Sequence, residues 1–299
     1  MSTMADESLR VDGAVVVGVD GSESSRGAAR WAARWASARG ERVLVVRVIP
    51  HNPIPTRTGG FRAMVDGPDF AERVTAHVRD HLEQDAAELR AVHPELTIET
   101  AVVAGHPVEL LARYAGQAAA TVLAATGSSG LPGVLGGTVG GVLHEAHGPV
   151  TVIPAEAVAS DGPVVVGLDG GPQSPRIAQV AIDAAARLGC PLVAVHAWEI
   201  DPAIPAEPLA MLMKDQADIE AEYLQLLTRL TAGAQAVGAP VEHVVRWGRP
   251  HRVLAELAAD AALLVLGSRG MGGFAGLLFG SVSRAVTRHP VCPTLVVRD

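Results

Sequence analysis

Short apolar runs bounded by glycine or proline alternate along the chain with longer stretches whose apolar residues recur every three or four positions. A run of four to eight apolar residues without polar alternation suits a strand buried on both faces, as in a parallel sheet. In the first half such runs cover residues 15–19, 43–48, 98–103, 122–125 and 150–153. Ser22 or Ser24 is suited to cap a helix running to Arg39, with Gly40 as its stop. In the next helical stretch Ala71, Val74, Val78, Leu82, Ala86 and Leu89 form one stripe, echoed in the second half by Ile219, Tyr223, Leu226, Leu227 and Leu230. Strands alternating with helices imply right-handed βαβ units and a doubly wound parallel sheet.

The pattern occurs twice. AVVVGVDGSESS from Ala14 recurs as PVVVGLDGGPQS from Pro163, 149 residues on. VLVVRVIP from Val43 matches LVAVHAWEI from Leu192, VVAGHPVELL from Val102 matches VVRWGRPHRVL from Val244, and VLAATGSSG from Val122 matches LLVLGSRG from Leu263. The order is kept, so the chain reads as two α/β domains, 9–156 and 161–299, joined by the small, polar linker 156–161. Residues 51–68 and 201–208, rich in proline, glycine and short polar residues, read as loops after each second strand, overhanging the carboxyl edge where open α/β sheets bind ligands.

Composition narrows the partners. A length of 299 residues fits two domains of ~150 residues. Aromatics are only 3%, which favours close-packed helices on a Val-rich sheet over an aromatic-filled sandwich. The formal charge of −8 argues against a nucleic-acid partner, which needs a clustered basic face. No apolar run reaches the ~18 residues of a membrane span, and the start MSTMADESLR lacks a signal-peptide layout, so a cytoplasmic location is expected. Cys190 and Cys292 sit at the edges of apolar segments and read as packing thiols. Lys214 is the one lysine, so no Walker A motif exists, and any phosphate must be held by backbone N–H groups, hydroxyls, arginine or a metal ion.

The strongest motif is Gly267-Ser-Arg-Gly270, then nine residues, then Gly280-Ser281, placed after the fourth strand and opening a helix. Glycines let successive N–H groups curve around an anion, and the helix start adds unpaired N–H groups and the positive end of its dipole. Ser281 is expected to cap that helix and to donate to a bound phosphate. Together with Gly-x-Asp at the end of the first strand, this motif resembles the ATP-binding universal stress proteins. The resemblance spans nearly the whole chain and looks like the tandem form of actinobacteria. It implies two five-stranded, Rossmann-like domains of the adenine nucleotide alpha hydrolase-like type. Carried over by position, the nucleotide contacts of the second half are Asp169, Ala197, Gly267, Gly270, Gly280, Ser281 and Val282. Ala197 would meet adenine through its backbone, the loop would hold the phosphates, and Asp169 would face the ribose or, through magnesium, the phosphate tail. Arg269 is either a phosphate contact or a surface charge.

In the first half Gly127 and Gly130 are followed, after six residues, by Gly137-Thr138. A register with nine intervening residues ends instead in Gly140-Gly141 and loses the hydroxyl. The first register makes Thr138-Val139 mirror Ser281-Val282, puts Ser129 opposite Arg269, and adds Asp20 and Val48 to the site. A loop three residues shorter implies weak or absent binding.

Blander readings stand beside these. Asp20 and Asp169 precede glycine and also suit plain turns. The glycines from Gly270 to Gly273 fit a relaxed dinucleotide fingerprint, but no second βαβ unit with a ribose-binding acid follows. His77 with His81, and His144 with His147, lack a third metal ligand nearby in sequence, and no Gly-x-Ser-x-Gly elbow surrounds Ser128 or Ser268. Trp31 and Trp35 suit packing or a subunit contact. The reading is an ATP-binding regulatory or sensory protein of stress or dormancy adaptation, homodimeric, with an unidentified downstream protein partner and at most slow ATP hydrolysis. The alternatives are a nucleotide-independent scaffold pairing edge to edge through residues 150–153 and 294–297, and a nucleotide-using enzyme with an added catalytic group.

Overall fold

The computed structural model describes residues 9–49, 68–127, 135–156, 160–199, 216–270 and 279–298. The chain divides into two compact units, Met1–Glu156 and Ala157–Asp299. The first contains β1 (Ala14–Val19), α1 (Glu23–Arg39), β2 (Arg42–Ile49), α2 (Pro68–Val92), β3 (Ile98–Ala104), α3 (Pro107–Ala115), β4 (Ala120–Ala124), α4 (Gly137–Glu145) and β5 (Val150–Ile153). The second contains β6 (Val164–Gly167), α5 (Ser174–Leu188), β7 (Leu192–Trp198), α6 (Gln216–Leu230), a 3-10 turn (Ala232–Val237), β8 (Val241–Trp247), α7 (Pro250–Leu257), β9 (Leu263–Gly267), α8 (Ser281–Arg288) and β10 (Thr294–Val297).

Within the first unit the strand order is β3-β2-β1-β4-β5, and every pairing is parallel. The second repeats it as β8-β7-β6-β9-β10, again parallel. The winding reverses between β1 and β4, and between β6 and β9, which opens a crevice beyond the carboxyl ends of those strands. Val15, Val16 and Val17 are completely buried, as are Val164, Val165 and Val166, so the central strands are covered on both faces as their unbroken apolar runs require.

Local chemistry sets the helix ends. Ser22 caps α1 by accepting from the Ser25 N–H, and Gly40 closes it at φ +65°, its N–H reaching the carbonyls of Ala36 and Ser37. Gly189 ends α5 with the same left-handed geometry. In the α2 stripe Leu82, Ala86 and Leu89 are buried, whereas in α6 only Leu227 of the expected set is fully covered. Pro68, read as loop, opens α2 instead; its missing N–H costs nothing in a first turn. The rest of the two expected loops, 51–67 and 201–208, and linker residues 157–159 lie outside the described residues. Cys190 and Cys292 are both buried, and burial pushes the Cys292 thiol up to about 12. Trp31 stacks on Trp35 at 5.3 Å, and the Arg39 guanidinium lies 5.0 Å above the buried Trp35 ring.

The glycine of each Gly-x-Asp is dictated by packing. A Cβ on Gly18 would stand 2.7 Å from Leu123 Cδ2 and 3.1 Å from Leu111 Cδ1; on Gly167 it would meet Leu266 Cδ2 at 2.7 Å and Leu254 Cδ2 at 3.1 Å. Gly167→Ala is therefore expected to destabilise the protein by about 1–3 kcal/mol, the range for overpacking a dense interior. Denaturant melts of the two proteins check this, and an unchanged midpoint would show that the leucines yield without cost.

Candidate functional site

At the carboxyl edge of each unit lies a cavity, of about 420 Å³ in the first and about 530 Å³ in the second. In the second, the end of β6 carries Asp169 into a tight turn, with Gly170 at φ +82°. Asp169 Oδ1 accepts from the Gly171 N–H at 2.9 Å and from Ser174 Oγ at 3.1 Å, which ties the carboxylate to the start of α5. Its other oxygen points at the loop after β9, where a Cβ on Gly270 would stand 2.7 Å from it. The first unit repeats the arrangement. Asp20 Oδ1 accepts from the Ser22 N–H at 3.0 Å and Ser22 Oγ at 2.5 Å, and a Cβ on Gly127 would come within 2.5 Å of Asp20 Oδ2. These aspartates do shape turns, as their Asp-Gly sequence suggests, but each also borders a cavity.

The cavity floors are apolar. Leu111 and Leu123 line the first, Leu254 and Leu266 the second; Val48 and Ala197, from the ends of β2 and β7, lie on corresponding walls. Every site residue expected from the second half borders its cavity, namely Asp169, Ala197, Gly267, Arg269, Gly270, Gly280, Ser281 and Val282. In the first half Asp20, Val48, Gly127, Gly137, Thr138 and Val139 do so, and Gly130 lies outside the described residues. Ser283, Pro250, Thr126, Ala124, Gly136 and Pro107 also line the cavities and were not singled out from sequence. A signal for the two prolines existed in the repeated Gly-x-Pro, Gly105 to Pro107 and Gly248 to Pro250, whose glycines both take positive φ before α3 and α7.

Strand pairing corrects the expected register of the first-half motif. Val17 pairs with Val122 as Val166 pairs with Val265, so Ala124 takes the place of Gly267, Thr126 that of Arg269, and Gly127 that of Gly270. The loops return at matching points: the Gly136 N–H donates to the Ala125 carbonyl at 2.8 Å, and the Gly280 N–H to the Ser268 carbonyl at 2.7 Å. Gly136 and Gly280 are the N-cap residues of α4 and α8. The intervening loops are thus residues 128–135 and 271–279, a difference of one residue rather than three. Ser129 accordingly does not stand opposite Arg269. Nor is Ser281 the helix cap: it is the first helical residue, and neither α4 nor α8 has a side-chain cap bond. Gly137 occupies the position of Ser281, and Thr138 that of Val282.

The register displaced because Gly267 is small for a reason peculiar to the second unit. A Cβ there would meet Ile177 Cδ1 at 2.5 Å, whereas Ala28 stands at the matching position of α1 and leaves room for Ala124. On the sheet face opposite Ala197, His196 is buried, stacks on Tyr223 with centroids 3.6 Å apart, and holds the Leu168 carbonyl at 2.8 Å through Nδ1. A carbonyl only accepts, so Nδ1 carries the proton. Arg47 takes this position in the first unit; burial lowers its pKa and the Asp20 charge raises it. Among the described residues no three His, Cys, Asp or Glu side chains come together to hold a metal, and the His77 and His81 rings meet edge to face at 4.4 Å. No described helix is long and apolar enough to cross a membrane.

The family model described as "Universal stress protein family" matches residues 13–154 and 162–298. A universal stress protein of Mycobacterium tuberculosis is 36% identical over 301 residues, covering 95% of this chain and 94% of its own. A second from that species is 34% identical over 299 residues, covering 95% and 97%. Among solved structures, a universal stress protein from Archaeoglobus fulgidus superposes with a TM-score of 0.65 at 21% identity, covering 96% of this chain and 98% of its own, a likeness of fold.

The buried histidine yields a pH dependence. Burial lowers the His196 pKa below its ordinary 6.5, with the Leu168 carbonyl and Asp169 pulling partly back. The folded state then binds fewer protons than the unfolded one, so this contribution to stability is intact above pH 6.5 and is lost as pH falls below it. Burial shifts His243 in the same sense. Melting midpoints of the native protein are expected to drop on acidification below about pH 6.5, and those of His196→Gln to drop less. Equal slopes for both proteins would remove His196 from the account.

Proposed function

The chain belongs to the universal stress protein family, and from that premise we propose that it is an ATP-binding regulatory protein of stress or dormancy adaptation. The observation that carries the reading is the second-unit cavity, where an apolar floor, an aspartate and a glycine-lined helix start converge at the carboxyl edge of a parallel sheet. Cavities of this size and mixed lining suit a nucleotide. The donor set fits ATP. Gly270 and Gly280 let main-chain N–H groups approach closely, for Cβ atoms there would stand 2.7 Å from Asp169 Oδ2 and 3.2 Å from the Ser268 carbonyl. The N-terminus of α8 adds an uncapped first turn, favourable to negative charge. Arg269, Arg284 and Ser281 border the same space.

In this reading the Leu254 and Leu266 floor packs the base, the main chain at Ala197 selects adenine, and Asp169 orients the ribose. Magnesium would supply charge neutralisation between Asp169 and the phosphates, the protein contributing a carboxylate and hydroxyl oxygens of the kind that ion takes. Gly267, Gly270, Gly280, Ser281 and Val282 form the phosphate cradle. Asp169 is already bound into the α5 turn, which suits it to hold a ligand rather than to move a proton, so nucleotide occupancy rather than turnover is the output in this reading. Occupancy would order the cradle and alter contacts with a partner protein or a second copy of the chain in a cytoplasmic homodimer.

Calorimetry with ATP and magnesium is expected to show saturable uptake, and ATP at 100 times its Kd to raise stability by about 2.7 kcal/mol. Gly270→Ala should weaken the second site at least about tenfold, since its methyl carbon displaces the Asp169 carboxylate. A well-folded protein that takes up no adenine nucleotide would overturn the proposal and leave the nucleotide-independent scaffold, whose light scattering is the same with and without ATP.

A further inference from the structure

Corresponding positions of the two cavities differ consistently in charge. Arg269, Arg284, Ser281 and Ser283 line the second. In the register set by β4, β9 and the two capping glycines, their counterparts are Thr126, Gly140, Gly137 and Val139. Two cations and two hydroxyls are thus replaced by one hydroxyl, two glycines and a valine, while Thr138 brings a hydroxyl where the second cavity has Val282. Among the described residues no arginine or lysine lines the first cavity, and the sequence of residues 128–135, between Gly127 and Gly136, contains none. The substitution that fills space runs the same way, since Ala124 stands where Gly267 leaves room, and the first cavity is smaller, about 420 Å³ against about 530 Å³.

What the cavities share is equally consistent. Asp20 matches Asp169, Leu111 and Leu123 match Leu254 and Leu266, Pro107 matches Pro250, and Val48 matches Ala197. The part suited to a base and a sugar is kept, while the part suited to polyphosphate is stripped of charge. Resting on the reading of the second cavity as a nucleotide site, we propose that the first-unit cavity binds a ligand of the adenine nucleoside or nucleoside monophosphate class and gains nothing from further phosphates. The first unit then reports a low-charge adenine compound and the second ATP, so a single chain compares the two.

The test is an affinity ladder of adenosine, AMP, ADP and ATP, with magnesium, by calorimetry on the full chain. Gly270→Ala isolates the first cavity; Gly127→Ala, whose Cβ would press within 2.5 Å of Asp20 Oδ2, isolates the second. With the second site disabled, affinity is expected to stay within about threefold from adenosine to ATP. With the first disabled it should climb at least about tenfold, the scale of one charge-assisted hydrogen bond. In the otherwise unaltered chain, Thr126→Arg should add an ATP preference of about tenfold to the first site, which keeps the test open if a glycine variant misfolds. Equal climbs at both sites, or ATP uptake at the second with no adenine compound at the first, would overturn the inference while leaving the nucleotide reading intact. No uptake at either cavity would overturn both.

Discussion

The binding edge of each unit depends on one missing carbon atom. Asp20 and Asp169 leave the ends of their strands with one carboxylate oxygen tied back into the following helix start and the other pressed against Gly127 or Gly270. With a side chain at either glycine, the carboxylate or the loop after the fourth strand would have to move away. The cavity would then lose the wall that sets the helix start opposite the acid. Gly18 and Gly167 act one step deeper, letting two leucines close the floor beneath. Four glycine positions and two aspartates therefore shape the cavities, and in the proposed reading rim residues such as Thr126 and Arg269 set what they hold.

The scaffold was legible in the sequence because its signals are redundant. Unbroken valine runs are used only by strands covered on both faces, helix stops such as Gly40 and Gly189 are read from the left-handed conformation they adopt, and the repeat supplies each observation twice. That the second-half motif lines one cavity was legible for the same reason, since glycine spacing, strand end and helix start coincide. The first-half register was not. Gly127 looks like the first glycine of its motif because Ala124 hides the true counterpart of Gly267, and only the pairing of Val17 with Val122 reveals the shift. That alanine is tolerated because Ala28 replaces Ile177 on a neighbouring helix, a compensation between residues nearly a hundred positions apart that no local pattern contains. Sequence likewise gave no hint of His196, whose role arises from its stacking on Tyr223 and its grip on the Leu168 carbonyl.

The duplication explains why divergence was affordable. Among the described residues each cavity is lined by its own unit alone, so a substitution in one lining need not touch the other. In the proposed reading, charge at the loop would act on ligand choice rather than on the fold. Thr126, half-buried, and Arg269, exposed, occupy matching places in the turn after a strand. The acid and the apolar floor are constrained differently, because both are locked into strand ends and helix packing. Selection on such a chain moves the rim first.

Without a lysine clamp, no single group can dominate phosphate recognition. An exposed unit charge at 4 Å from a phosphate oxygen is worth about 1 kcal/mol in water, and a helix N-terminus contributes about 0.3–1 kcal/mol. Two arginines, a hydroxyl and the start of α8 together reach a few kcal/mol, enough to tell a triphosphate from a nucleoside but little more. In the proposed reading, the larger share of affinity would come from burying the base on the leucine floor, at roughly 25 cal/mol per Å² of apolar surface. It follows that the two cavities need not differ much in affinity for a base and sugar to differ sharply in what they accept beyond it. A rim of weak contacts is also readily screened by salt, so ionic strength acts on the second cavity's choice of ligand far more than on the first's.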